Sequence, residues 1–260
     1  MRLRLMGSMS AFCFLWFAMF WGVWLSGHAV LAQQVIDGQA IEEIAQKSAA
    51  QATKSGQQDK DVRGTFAWSA EDSQADDIWE FKDPAGWKFA GSGDQRVLSQ
   101  HLKASKYSPP HRSPTHMALV KERKFGSFQL DCQVKSTHPD YGHRDVCLFF
   151  GFEGPDRFYY LHMAKAMDPH ANQLFIVNQA DRKKISLTTT QGTAWDEGWH
   201  HVRIQRNVET GEIRVYFDDM EDPIMTAKDQ SFSSGQIGLG SFDDTADFKS
   251  LTVGPLPASK

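Results

Sequence analysis

Residues Trp199–Asp219 read WHHVRIQRNVETGEIRVYFDD, and their alternation decides the fold. Val202 and Ile204 oppose His201, Arg203 and Gln205. Across a turn, Ile213, Val215 and Phe217 oppose Glu212, Arg214 and Tyr216. A period of two sends one set of side chains to a core and the other to water, which is the pattern of a half-buried strand. Thr210-Gly211 between the two runs predicts a hairpin, since Gly accepts the positive φ that such turns demand. His200 and His201 are consecutive, so on a strand they face opposite ways and cannot chelate one ion side by side.

The same reading extends in both directions. Strands are predicted over 78–81, 87–90, 96–100, 116–121, 126–136, 145–152, 157–164 and 173–178, then over 184–187, 199–206, 212–218, 236–242 and 248–253. Short strands at this density, broken by Gly, Asp and Pro turns, predict an all-β, two-sheet antiparallel sandwich. Lys103–Thr115 (KASKYSPPHRSPT) is different. Pro109, Pro110 and Pro114 remove backbone donors and fix φ, so this stretch is a surface excursion of the kind that lines binding sites.

The N-terminal quarter reads as an address and a spacer. Arg2 and Arg4 precede the apolar run Ala11–Leu25, and Val30-Leu31-Ala32 offers small residues for cleavage before Gln33. The run is shorter than the roughly 20 residues of a spanning helix. Residues 1–32 are therefore expected to be a signal peptide, 33–62 a flexible spacer and 63–256 the folded domain, in a secreted or periplasmic protein. The mature chain would hold 26 basic against 32 acidic residues, net −6. Without a basic stripe it is a poor nucleic-acid binder, and no membrane span is expected after cleavage. Cys132 and Cys147 remain, symmetric about Pro139-Asp140. If their strands form a regular hairpin the sulfurs lie opposite each other and a disulfide can close; otherwise they are small apolar core residues.

The strings FGSFQLDCQV (Phe125–Val134), RFYYLHMAK (Arg157–Lys165), Trp199–Asp219 and GQIGLGSFDDTADF (Gly235–Phe248) together resemble the concanavalin A-like lectin/glucanase superfamily. Within it, the chain is similar to secreted 3-keto-disaccharide hydrolase-type (family 16 glycoside hydrolase-like) and laminin G-like domains. The resemblance implies a jelly roll of two curved sheets with carbohydrate bound on a sheet face or its rim. The Glu-x-Asp-x-x-Glu run of true family 16 endoglucanases is absent from this sequence. It also implies a structural Ca²⁺ near the chain ends, held by carboxylates and carbonyls. Asp243 and Asp244 are the expected ligands, with Glu80 and Asp83 as early-strand partners, although an acid common in the last strand of such domains is replaced by Lys249.

Alternation in Arg157–Ala164 puts Phe158, Tyr160 and His162 on one face and Tyr159, Leu161 and Met163 in the core. Rings stack on sugar C–H faces while Tyr and His supply hydrogen bonds, so the first set is the expected glycan surface. Arg144, Asp145 and Asn178 join it if their strands are neighbours. His162 is the general-base candidate by its titration range. A glycosidase needs two carboxyls across a bond, and Glu153, Asp156, Asp145 and Asp243 are available without a ranking. His138, Asp140 and His143 share one turn but do not have zinc-ligand spacing. The expected function is a polysaccharide- or glycan-binding sandwich that takes part in cleavage or only docks. The alternatives are a glycoside hydrolase with an unidentified carboxylate pair, or a laminin G-like adhesion module anchored by exposed Trp68, Trp195 and Tyr107.

Overall fold

The computed structural model describes residues 65–257. The signal peptide expected at 1–32 and the spacer at 33–62 lie outside the described residues. The chain forms, in order, β1 (Phe66–Ser69), β2 (Trp79–Phe81), β3 (Trp87–Ala90), β4 (Val97–Gln100), β5 (His116–Val120), β6 (Phe128–Ser136), β7 (Asp145–Gly154) and β8 (Arg157–Ala164). There follow β9 (Gln173–Asn178), β10 (Lys183–Lys184), β11 (Ser186–Thr189), β12 (His200–Arg206), β13 (Glu212–Phe217), β14 (Met225–Lys228), β15 (Gln236–Ser241) and β16 (Ala246–Gly254). Among the described residues, helix is limited to short 3₁₀ turns, and no helix is long and apolar enough to cross a membrane.

Two antiparallel sheets result. The first runs β11-β14-β13-β12-β6-β16-β4-β3, with β1 also paired to β16; the second runs β10-β9-β8-β7-β15-β5-β2. The Trp199–Asp219 hairpin forms as read, with Val202 opposite Phe217 and Ile204 opposite Val215, and Gly211 at φ +76° in its turn. The stretch predicted as one strand over 184–187 divides instead. β10 pairs with β9 in the second sheet and β11 with β14 in the first, so the chain changes sheet at Ile185. Strands β1 and β14 were not legible in the sequence.

The core fills the space between the sheets. Leu130, Cys132 and Val134 of β6, with Val202, Ile204, Leu251 and Val253, face Leu148 and Phe150 of β7, Tyr159, Leu161 and Met163 of β8, and Ile237 and Leu239 of β15. Alternation along each strand supplies this set, and burial of so many large side chains is the main stabilising term. Trp68 packs edge-on against Trp79 at 5.0 Å, and Trp195 against Phe217 at 5.0 Å; both Trp68 and Trp195 are buried. The adhesion anchors expected from them are therefore core residues, and Tyr107 is half-buried.

Cys132 and Cys147 are free, and the hairpin that would have joined them does not exist. β6 pairs with β12 and β16, whereas β7 pairs with β8 and β15. Residues 137–144 cross from one sheet to the other. Cys132 points into the core and Cys147 to the outer face of the second sheet.

That outer face carries a second apolar cluster, made of Met117, Leu119, Cys147, Phe149, Phe152, Phe158, Tyr160, Phe175 and Val177. Register arranges it in rows. Gln173, His162, Cys147, Gly240 and Met117 lie side by side; the next row is Phe175, Tyr160, Phe149, Gly238 and Leu119. Gly240 is required here: a Cβ on it would meet the His116 carbonyl oxygen at 1.9 Å and the Phe149 ring at 3.0 Å.

Candidate ligand site

Phe158, Tyr160 and His162 do share the face opposite the core, as their alternation requires, but they are not open to solvent. Phe158 and Tyr160 are 0% exposed and His162 5%. The reason is partly the proline-rich loop. Lys106 N–H donates to Asp83 Oδ2 (2.6 Å) beyond β2, and Arg112 N–H donates to Asp181 Oδ1 (3.0 Å) beyond β9. The loop thus runs from one side of the second sheet to the other. Arg182 lies 4.9 Å over the Phe175 ring and donates to the Tyr160 hydroxyl (3.1 Å), and Phe242 stacks on His162 at 5.7 Å. Desolvation raises the Tyr160 phenol above its ordinary pKa. A sugar-stacking role for Phe158 and Tyr160 is therefore corrected to a packing role.

The polar end of the same face is built around Asp145, at the start of β7. β7 and β8 are neighbours, and His162 Nε2 lies 3.3 Å from Asp145 Oδ2. The same oxygen accepts from Phe242 N–H (2.9 Å) and the Cys147 thiol (3.4 Å). The expected convergence thus occurs for Asp145 and His162. It does not occur for Arg144, which points to the other side of the strand and donates to Ser136 Oγ and O and to the Asp196 carbonyl. Nor does it occur for Asn178, which sits at the far end of β9 and accepts from Arg157 (3.1 Å). Glu153 is also at that far end, paired with Arg157 at 2.7 Å.

Asp243 and Asp244 follow β15, and each brings a carboxylate oxygen within 4.8 Å of one from Asp145. Glu80 is not in this group; it pairs with Lys82 at 2.6 Å on the edge strand β2. Asp145 takes the place expected of it. Asp244 is sealed, with its oxygens accepting from the Tyr141 hydroxyl (2.9 and 2.8 Å) and from Asp145 N–H (3.0 Å). Burial, and then the neighbouring charge of Asp145, push its pKa up to about 6. For a Ca²⁺ ion, three carboxylates are a suitable donor class, but Asp244 is fully buried and already accepts from Tyr141 and a backbone N–H. Asp145 and the exposed Asp243 are left as the residues that would hold such an ion.

The rim above this cluster is aromatic and polar. Tyr141 is 40% exposed, its hydroxyl held by Asp244 and its ring set between His138 (5.4 Å) and His143 (6.4 Å). Lys103 Nζ stands 6.0 Å over the ring. His138 Nε2 lies 3.3 Å from Asp244 Oδ1, and desolvation lowers its pKa. His143 turns to Asp168 (3.7 Å) and Asp140 to Lys165, so the three residues of this turn go to different partners. Tyr141 and Cys147 were missed as site residues. Tyr141 sits in a turn without periodicity, and Cys147 reads as an apolar strand position.

No protein-family model matches the chain, and no curated protein matches it. Solved structures do. The family 43 glycoside hydrolase BlXynB of Bacillus licheniformis superposes with a TM-score of 0.51 at 9% identity, over 73% of this chain and 39% of that one. The carbohydrate-binding module CBM66 of Bacillus subtilis gives 0.49 at 16% identity (68% and 95%), and lectin I-B4 of Griffonia simplicifolia 0.48 at 12% (74% and 98%). The described residues form an all-β, two-sheet antiparallel jelly-roll sandwich. At these identities the likeness is one of fold.

Proposed function

We propose that this chain is an exported carbohydrate-binding sandwich whose glycan site is the rim formed by Tyr141, His138, His143 and Asp243, at the polar end of the second sheet. One observation carries the reading: Tyr141 is exposed yet immobilised, its hydroxyl doubly held by buried Asp244, with the exposed carboxylate of Asp243 beside it. A fixed ring offers a sugar C–H face a stacking platform at little entropic cost, and the carboxylate and imidazoles accept or donate to hydroxyls. The export leader expected in the sequence and the fold's carbohydrate-binding relatives support the same class of ligand. The geometry favours binding over cleavage. Of the three closely spaced acids, Asp145 and Asp244 are at most 1% exposed, which leaves Asp243 alone in reach of a glycosidic oxygen rather than a pair across it.

The test is retention on a panel of insoluble polysaccharides, with sugar release measured on the same samples. The unsubstituted chain is expected to be retained on at least one polysaccharide without releasing sugar. Tyr141→Ala and Asp243→Asn should each weaken retention about tenfold, an energy of about 1.4 kcal/mol. Retention unchanged in both variants contradicts the rim assignment, and steady sugar release contradicts the binding-only reading.

A further inference from the structure

We propose that Asp145, Cys147 and His162 form a binding site for a zinc-class divalent metal ion on the outer face of the second sheet. β7–β8 register places Cys147 directly opposite His162, and Asp145 stands two residues earlier on the same face. One ligand atom from each lies within 4.8 Å of the others. Two separations are resolved: His162 Nε2 to Asp145 Oδ2 is 3.3 Å, and Cys147 Sγ to the same oxygen is 3.4 Å. A tetrahedral zinc with bonds of about 2.0–2.3 Å sets its ligand atoms about 3.3–3.5 Å apart.

The imidazole is already oriented for metal. His162 Nδ1 lies 3.1 Å from the His170 carbonyl oxygen, which can only accept, so Nδ1 carries the hydrogen. In the neutral ring Nε2 then points a lone pair at the Asp145 carboxylate. At 3.3 Å that contact needs either a proton on Nε2 or a metal ion between the two atoms. Carbonyl-anchored Nδ1 with a free Nε2 is also the arrangement by which proteins fix a metal-ligating histidine.

Among the described residues, neither Asp145 nor Asp244 has a Lys or Arg ion-pair partner, and the nearby Arg182 is engaged with the Tyr160 hydroxyl. Their ion-pair partners are the imidazoles of His162 and His138. Gln173, only 2% exposed and directly across from His162 on β9, has an Oε1 without a hydrogen-bond partner. A divalent ion offsets the carboxylates, and a water in its fourth position gives Gln173 a donor. The sulfur and nitrogen donors select a borderline metal over Ca²⁺. On binding, the Cys147 S–H bond breaks, a metal–thiolate bond forms, and the proton passes to solvent. Affinity therefore falls as pH falls.

Metal-stripped full chain titrated with Co²⁺ alone tests this. One equivalent is expected, with a thiolate-to-cobalt charge-transfer band in the near ultraviolet. Zn²⁺ should displace the Co²⁺ and abolish the band. Cys132→Ala should keep the band, while Cys147→Ser and His162→Gln should each weaken binding by at least about tenfold. X-ray absorption on the unsubstituted zinc form, expected to show one sulfur neighbour, stands even if a variant fails to fold. An oxygen-only spectrum, a band unaffected by Cys147→Ser, or no uptake of either metal overturns the proposal. The first of these would assign the cation to Asp145 and Asp243. Glycan retention by the rim is a separate readout, so the two readings fail independently.

Discussion

Asp244 is held at 0% exposure beside another carboxylate, and its acidity reports that setting. Its folded pKa of about 6 lies above the ordinary carboxylate value of 3.8, so between those two values the folded state holds the extra proton. The group's contribution to stability is thus fully present below about pH 3.8 and is lost as pH rises through about 6. His138 and His116, whose pKa values desolvation lowers, act in the opposite sense: their share is lost as pH falls below 6.5. The difference between the unsubstituted chain and Asp244→Asn isolates the carboxylate. In urea unfolding at pH 4.5 and pH 7, Asp244→Asn is expected to gain stability relative to the unsubstituted chain on going to the higher pH. A difference constant across that range would contradict the assignment. The acid pair Asp243-Asp244 was legible in the sequence because two acids beside a Gly-containing turn stand out chemically. Its true companion, Asp145, is 98 residues away and was assigned elsewhere, since only β7–β15 pairing brings the two ends together.

At the scale of the strand, period two told which side chains share a face and said nothing about what lies above that face. The bounds of β3, β8 and β9 agree with the residues predicted, because each is rich in aromatic or aliphatic residues between clear turns. β1 and β14 have only four residues each and take their strand character from β16, β11 and β13 rather than from their own pattern. Phe158, Tyr160 and His162 were placed on the correct face of β8, but the strap over that face is formed by residues 50 positions earlier, tied to Asp83 and Asp181 through backbone amides. Such contacts have no sequence signature. The consequence is measurable: Phe158→Ala should lower stability by about 3–5 kcal/mol in denaturant titration, the range for removing a buried ring. A loss below about 1 kcal/mol would show that this face is open.

The whole molecule divides its polar and apolar work between the two ends of one sheet face. Toward the Val177–Phe158 end the face is closed by rings and by Arg182; toward Asp145 it opens into a rim of Tyr141, His138, His143 and Asp243. On the opposite sheet a groove of about 580 Å³ is lined by Glu212, Arg214, Tyr216, Thr226 and Lys228, with Arg214 and Glu212 neutralising each other at 2.6 Å. The all-β, two-sheet class follows from local alternation and turns and the jelly roll was implied by the family resemblance, whereas the ligand end depends on loops that meet only in three dimensions. Hydroxyl-radical footprinting of the full chain, free and bound to a retained polysaccharide, tests this division most directly. Tyr141 should be oxidised in the free protein and protected on binding, while Phe158 and Tyr160 stay unmodified in both states. Strong oxidation of Tyr160 in the free chain, or protection confined to Glu212–Lys228, would contradict it.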